Sequence, residues 1–206
     1  MYKKLLYSLL LCMSLHAKPT KELVLISSID PSIAEELWYA TDKNFTKTKL
    51  YPKVAHAYLR PEVAQALGEV QKELATMGFG LKVWDAYRPH SVQFKMWDVV
   101  PDARYVGDPH KGGSHNRGGA IDVTLINLKT GKELEMPTKF DDFSEKAHSN
   151  YMKLSKKVIE NRALLHKIML KHDFNSFANE WWHFSYINNK KYPILNISFE
   201  ELAKEA

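Results

Sequence analysis

Cys12 is the only cysteine among 206 residues. It sits within "MYKKLLYSLLLCMSLHA", where Lys3 and Lys4 give a basic start, Leu5 to Leu15 an apolar run, and Ala17 a small residue suited to cleavage. This layout predicts an export signal over residues 1–17 ahead of a single domain over residues 18–206, with the periplasm as the expected compartment. The apolar run is too short to cross a bilayer as a helix, so no stable membrane anchor is expected after cleavage. Lipidation at Cys12 is the weaker alternative, because Leu11 before it is bulky. Cleavage after Ala17 would leave a chain without cysteine, which excludes a disulfide, a thiolate nucleophile and a Cys-ligated zinc site.

Concentrated positive charge is also missing. Without Lys3 and Lys4 the net charge drops from +5 to +3, and the remaining basic residues are scattered, with small pairs at Lys156–Lys157 and Lys190–Lys191. Nucleic-acid binding needs a basic stripe, so no nucleic-acid partner is expected. The stretch "GGSHNRGG" (Gly112–Gly119) has no Lys-Ser/Thr to make a phosphate loop, and the chain carries no Gly-x-Ser-x-Gly elbow. After residue 20 there is no repeat, low-complexity tract or linker.

Local patterns supply the elements. Asp30-Pro31 reads as a capped helix start. A second start at Arg60-Pro61 leads into Val63, Leu67, Val70, Leu74 and Met77 at helical spacing, closed by Gly78. "LKVWDAY" (Leu81–Tyr87) reads as a strand ended by Arg88-Pro89, and "SVQFKMWDVV" (Ser91–Val100) as a helix. "AIDVTLIN" (Ala120–Asn127) and "KELEM" (Lys132–Met136) flank Lys129-Thr130-Gly131, the pattern of a hairpin. Helical spacing returns between about Ser144 and His172 in Leu154, Val158, Leu165 and Met169. A polar loop and an aromatic strand complete "DFNSFANEWWHFSY" (Asp173–Tyr186). Helices and antiparallel strands mix without a βαβ rhythm, so the expectation is α+β: a small antiparallel sheet flanked by helices.

Two of nine histidines keep unusual company: His115 beside the glycines and His183 inside "EWWHF". His56, His90, His148, His166 and His172 read as surface or hydrogen-bonded groups, His110 has no partner pattern, and His16 leaves with the signal. His115 and Asp122 are seven apart, which places them on opposite faces of an unbroken strand. Gly118-Gly119 argues against a helix and for a loop that folds back, so that both side chains converge. With His183 as third ligand, this set suits zinc and leaves a position for water. Glu180, three residues before His183, would face away from it in a regular strand, so it is expected in a loop or bend ahead of that strand. There it could shuttle a proton between water and a leaving amine. The reverse assignment, with Glu180 as ligand and Asp122 beside the metal, is open at this point.

The blocks "LWYATDKNFTKTKLY" (Leu37–Tyr51), "YLRPEVAQAL" (Tyr58–Leu67), "VWDAYRP" (Val83–Pro89), "SHNRGGAIDVTL" (Ser114–Leu125), "MPTKFDDFSE" (Met136–Glu145) and "EWWHF" (Glu180–Phe184) resemble, in the same order, those of the D-alanyl-D-alanine dipeptidases. These form the VanX-type branch of the zinc D,D-peptidases. The resemblance implies the Hedgehog/D-Ala-D-Ala peptidase-like fold, one zinc on His115, Asp122 and His183, and Glu180 as general acid/base. It further implies that Arg88 steadies the developing oxyanion, with a salt bridge to Asp85 or another carboxylate as the structural alternative. Tyr39, Ser114 and Asp141 match positions around the bound dipeptide, where Asp141, or its neighbour Asp142, would meet the free ammonium. The implied activity is hydrolysis of D-Ala-D-Ala, the implied partner a small D-amino-acid dipeptide. A D,D- or L,D-carboxypeptidase trimming peptidoglycan stems is the nearest alternative, and a non-catalytic wall-peptide-binding module the more distant one. Resistance-type members act in the cytoplasm, so an export signal departs from them and points toward wall turnover.

Overall fold

A computed structural model describes residues 22–205; the expected signal, Cys12 included, lies outside them. The described chain begins with β1 (Val24–Leu25), a four-residue α1 (Ile26–Ile29) and β2 (Ala34–Glu35). Asp30-Pro31 does not open a helix. Asp30 instead ends α1, and its Oδ1 accepts from the Ser32 N–H and hydroxyl at 2.9 and 2.6 Å. A short acidic side chain that satisfies its own turn in this way competes with capping.

After β3 (Tyr58–Leu59), which pairs antiparallel with β1, the Arg60-Pro61 start holds and α2 runs Pro61–Thr76. Val63, Leu67, Val70 and Leu74 are fully buried, as their spacing requires. Met77 is the exception: it follows the last helical residue and is 41% exposed. Next come β4 (Phe79–Asp85), α3 (His90–Val99) and β5 (Ala120–Asn127). The expected hairpin after β5 forms only in part. Asn127 N–H reaches Lys132 O and Leu134 N–H reaches Leu125 O, yet residues 132–136 make one isolated bridge and no strand.

The late helix is shorter than its spacing suggested. Glu145–Ala147 is a single 3-10 turn, Leu154 lies outside, and α4 spans Lys156–Lys171 with Ser155 Oγ accepting from Val158 N–H. The polar loop before the aromatic strand is itself a strand, β6 (Phe174–Phe177), hairpinned to β7 (Glu180–Tyr186); α5 (Phe199–Glu205) closes the described chain.

The main sheet has the order β2-β4-β5-β7-β6, antiparallel except for the two-residue β2–β4 pair. The architecture is therefore the expected α+β arrangement. α2 packs on β4 and α4 on β6, and the two helices touch each other. Leu81, Val83, Val123 and Leu125 lie in this core without exposed surface. Alternation along β5 turns Asp122 and Thr124 to the other face. No helix among the described residues is long and apolar enough to cross a membrane.

Candidate metal centre and its cavity

Sheet pairing explains why Asp122 and His183 meet. They are direct cross-strand partners on β5 and β7, so their side chains leave the same face side by side. His115 arrives from the loop before β5, in a 3-10 turn over His115–Arg117 that ends in the left-handed Gly118, φ 67°. A Cβ on Gly118 would stand 2.5 Å from a Leu23 methyl, and one on Gly119 2.6 Å from Asn189 Cβ. The two glycines thus let the loop fold back tightly enough to bring His115 over the strand.

Three ligand atoms converge. His115 Nε2 lies 3.1 Å from His183 Nδ1 and 3.4 Å from Asp122 Oδ1, and His183 Nδ1 lies 3.0 Å from Asp122 Oδ1. Donors bound tetrahedrally at about 2.0–2.1 Å stand about 3.3 Å apart, so this triangle already has the dimensions of a zinc-type coordination face. The remaining ring nitrogens are committed elsewhere. His115 Nδ1–H donates to Ala86 O at 2.6 Å, and His183 Nε2–H donates to Ser185 Oγ at 3.0 Å, which donates to Ser114 Oγ at 3.0 Å. These bonds set the tautomers that leave His115 Nε2 and His183 Nδ1 as lone-pair donors. The set His115, Asp122 and His183 could hold a metal ion. Burial lowers the affinity of His115 for a proton, but the Asp122 carboxylate beside it prevails and raises its pKa; for His183, burial prevails and the pKa falls. Asp122 itself is pushed up by burial and brought down further by the two imidazoles.

Glu180 is where the sequence expectation needed correcting. It is not ahead of the strand but is the first residue of β7. The β6–β7 register slips there: Ser176 pairs with Phe184, but the next residue, Phe177, pairs with Glu180. This bulge removes the strict alternation, so Glu180 and His183 line one cavity despite their odd spacing. Burial, then the Asp122 and Asp141 carboxylates, raise the Glu180 pKa well above the ordinary carboxylate range.

Arg88 follows the end of β4 and is buried. Its Nε and Nη2 fork onto Asp85 Oδ2 at 3.1 and 2.6 Å, and Nη1 donates to Gln93 Oε1 at 2.8 Å. The salt bridge to Asp85 is thus present, and it leaves cavity-lining Arg88 with two of its five N–H donors outside these three bonds. Burial opposes its charge, but Asp85 holds the pKa above the ordinary value. Asp85 Oδ1 also accepts from Tyr51 OH at 2.7 Å.

Asp141 also lines the cavity, in left-handed backbone with φ 58°. Its oxygens accept from Tyr39 OH at 2.9 Å and from Phe45 N–H at 3.2 Å. Burial pushes its pKa up to about 7 against those two bonds. Asp142 does not line the cavity; its Oδ1 takes the Ser144 N–H at 2.8 Å. All eight residues singled out from the sequence, Tyr39, Arg88, Ser114, His115, Asp122, Asp141, Glu180 and His183, line this one space of about 320 Å³. That is the lower end of the roughly 300–1,000 Å³ typical of small-molecule pockets.

Sequence reading named Asp85 as a salt-bridge partner of Arg88 and missed Ser185 as a supporting group. Both had a signal: Asp85 lies three residues before Arg88 in "DAYR", and Ser185 is two after His183 on one strand, hence on one face.

Comparison with known proteins shows the family. A family model described as D-ala-D-ala dipeptidase matches residues 19–204. The chain is 35% identical over 180 residues to the D-alanyl-D-alanine dipeptidase of Escherichia coli (strain K12), covering 87% of this chain and 92% of that one. It is 33% identical over 180 residues to the enzyme of the same name from Enterococcus faecalis (strain ATCC 700802 / V583), covering 78% and 89%. For the Enterococcus faecium protein of that name the figures are 31% over 177 residues, 75% and 86%.

Proposed function

The chain belongs to the D-Ala-D-Ala dipeptidase family of peptidases, and on that premise we propose that it hydrolyses the free dipeptide D-Ala-D-Ala to two D-alanines. The observation that carries this reading is the joint presence, in one small cavity, of a three-donor metal site, a buried glutamate and a half-buried aspartate.

His115, Asp122 and His183 would hold one zinc ion per chain. When bound, zinc supplies Lewis acidity that acidifies a water and polarises a carbonyl. Glu180 takes the proton of the attacking water and hands it to the departing amine. Burial, then the Asp122 and Asp141 carboxylates, raise its pKa; positive charge at the neighbouring centre works in the opposite direction. Arg88, immobilised by Asp85 and Gln93, turns its free N–H groups to the carbonyl oxygen as it gains charge. Asp141, held by Tyr39 and Phe45, pairs with the substrate's ammonium. A carboxylate at that end favours a dipeptidase over a carboxypeptidase, whose substrate has no free amine there. A glutamate poised for proton transfer favours an enzyme over a binding module. With the signal-like start, this reading places the enzyme outside the cytoplasm, processing peptides released by cell-wall turnover.

The deciding measurement is D-alanine release by the zinc-loaded protein from D-Ala-D-Ala, L-Ala-L-Ala and a stem pentapeptide. Rapid release from D-Ala-D-Ala alone is expected. Release from the pentapeptide alone would replace this reading with the carboxypeptidase one. Fractionation of the native host, followed by N-terminal sequencing, checks export and cleavage after Ala17.

A further inference from the structure

The amino end of the cavity is walled by aromatic rings from three separate stretches of chain. Phe143, two residues beyond Asp141, stacks on Tyr105 with ring centroids 4.8 Å apart and planes 22° from parallel. Its other neighbour is Phe45, at 5.4 Å. Phe45 meets the Tyr39 ring edge-on at 6.3 Å, and its backbone N–H is one of the two groups that hold Asp141. The row of rings therefore begins at the residues that fix the aspartate, and all of them line the cavity.

The loop carrying Tyr105 is tied down on both sides of that ring. Arg104 O accepts from Asn179 Nδ2 at 3.2 Å, which joins the loop to the β6–β7 turn. Arg104 itself forks onto Asp102 with contacts of 2.6–3.1 Å. Gly107 O accepts from Gln93 Nε2 at 2.8 Å, and Gln93 is the residue that steadies Arg88. Val106, between these anchors, is buried.

Resting on the dipeptidase reading above, we propose that Tyr105 and Phe143, backed by Phe45, form a length filter that excludes any group attached to the nitrogen of the substrate's first residue. A nitrogen drawn to Asp141 lies against these rings, so added bulk has to displace either the ring stack or the ammonium–carboxylate pair. The first residue must then carry a free amine, and the site accepts D,D-dipeptides while rejecting N-extended D,D-peptides. Asp141 supplies the attraction and the rings supply the exclusion.

Charge and bulk are separated by N-methyl-D-Ala-D-Ala, which keeps a positive nitrogen and adds one methyl group. The readout is the ratio of kcat/KM for D-Ala-D-Ala to that for the N-methyl compound, measured on zinc-loaded protein. One misplaced methyl in a tight pocket is worth about 10–200-fold, so a wild-type ratio of about 100 is expected. Phe143→Ala and Tyr105→Ala should each reduce it to about 10 or below, with Phe143→Leu between. Asp141→Asn should slow both substrates and leave the ratio near the wild-type value. A wild-type ratio near one, or an unchanged ratio in both ring variants, overturns the filter even if dipeptide hydrolysis stands. If either alanine variant has no cooperative unfolding transition, Phe143→Leu decides, and an unchanged ratio there also overturns it. Wild-type protein that ignores D-Ala-D-Ala but trims the pentapeptide removes the dipeptidase reading, and the filter with it.

Discussion

The two ends of strand β5 make different use of one ladder. From Val123 to Asn127 it pairs with β4 residue for residue, Val83 back to Phe79. One position earlier the register slips, and Asp122 faces Asp85 instead of Trp84. The β6–β7 pair repeats the contrast, regular from Phe174 to Ser176 and displaced at Phe177, opposite Glu180. The regular ends bury Leu81, Val83, Leu125 and Phe174, whereas the displaced ends carry Asp122 and Glu180, which line the cavity, and Asp85, which holds Arg88. Strict alternation suits a core, where every second side chain must be apolar. A catalytic cluster needs side chains at odd spacings on one face, and a bulge provides that.

The sharpest way to break this comparison is at Glu180. Glu180→Ala is expected to reduce kcat by about 10²–10⁴-fold while the purified protein keeps its metal, measured by steady-state rates and metal analysis. A variant that loses metal and regains its rate with added zinc would make Glu180 a ligand instead. The regular end should answer in the opposite currency. Leu125→Ala is expected to cost about 2–5 kcal/mol in denaturant unfolding with kcat per folded molecule kept. Ser185→Ala tests the support beneath His183: zinc affinity should fall about 10–100-fold, with the unfolding midpoint little changed.

The last expected effect is a pH slope. The folded Asp141 carboxyl has its pKa raised to about 7, above its unfolded value of about 3.9. Between those values the folded state holds more protons than the unfolded one, so Asp141's contribution to stability declines as pH rises through that window. Urea unfolding of metal-free protein at about pH 5 and pH 8 should show this decline, and Asp141→Asn should remove its share while the raised Glu180 and His115 keep theirs.

Much of this was legible in the sequence because local and tertiary preferences agree. The apolar stripe of α2, the β-branched run of β5 and the glycines after His115 each admit one conformation. The misreadings fall where they compete. Asp30 bonds its own turn, Leu154 continues a helical spacing before Ser155 caps the helix, and residues 132–136 alternate like a strand without a partner for their ladder. Glu180 was placed near its true position for an incomplete reason, since a register slip is a property of two strands and leaves no periodicity in one. The bonds from Tyr39 and Phe45 to Asp141 span about a hundred residues and have no local pattern at all.

One small lattice of bonds has a wider consequence. Arg88 N–H donates to His115 O, Asn116 Nδ2 donates to Arg88 O, and His115 Nδ1 donates to Ala86 O. The segment bearing the guanidinium and the segment bearing the first imidazole are stitched into a single girder. The aromatic wall, by contrast, is borrowed from chain on either side of that girder. On the proposed reading, chemistry and appetite sit on different pieces of chain: exchanging residues 105 and 143 between relatives should transplant substrate preference while the hydrolytic apparatus travels untouched.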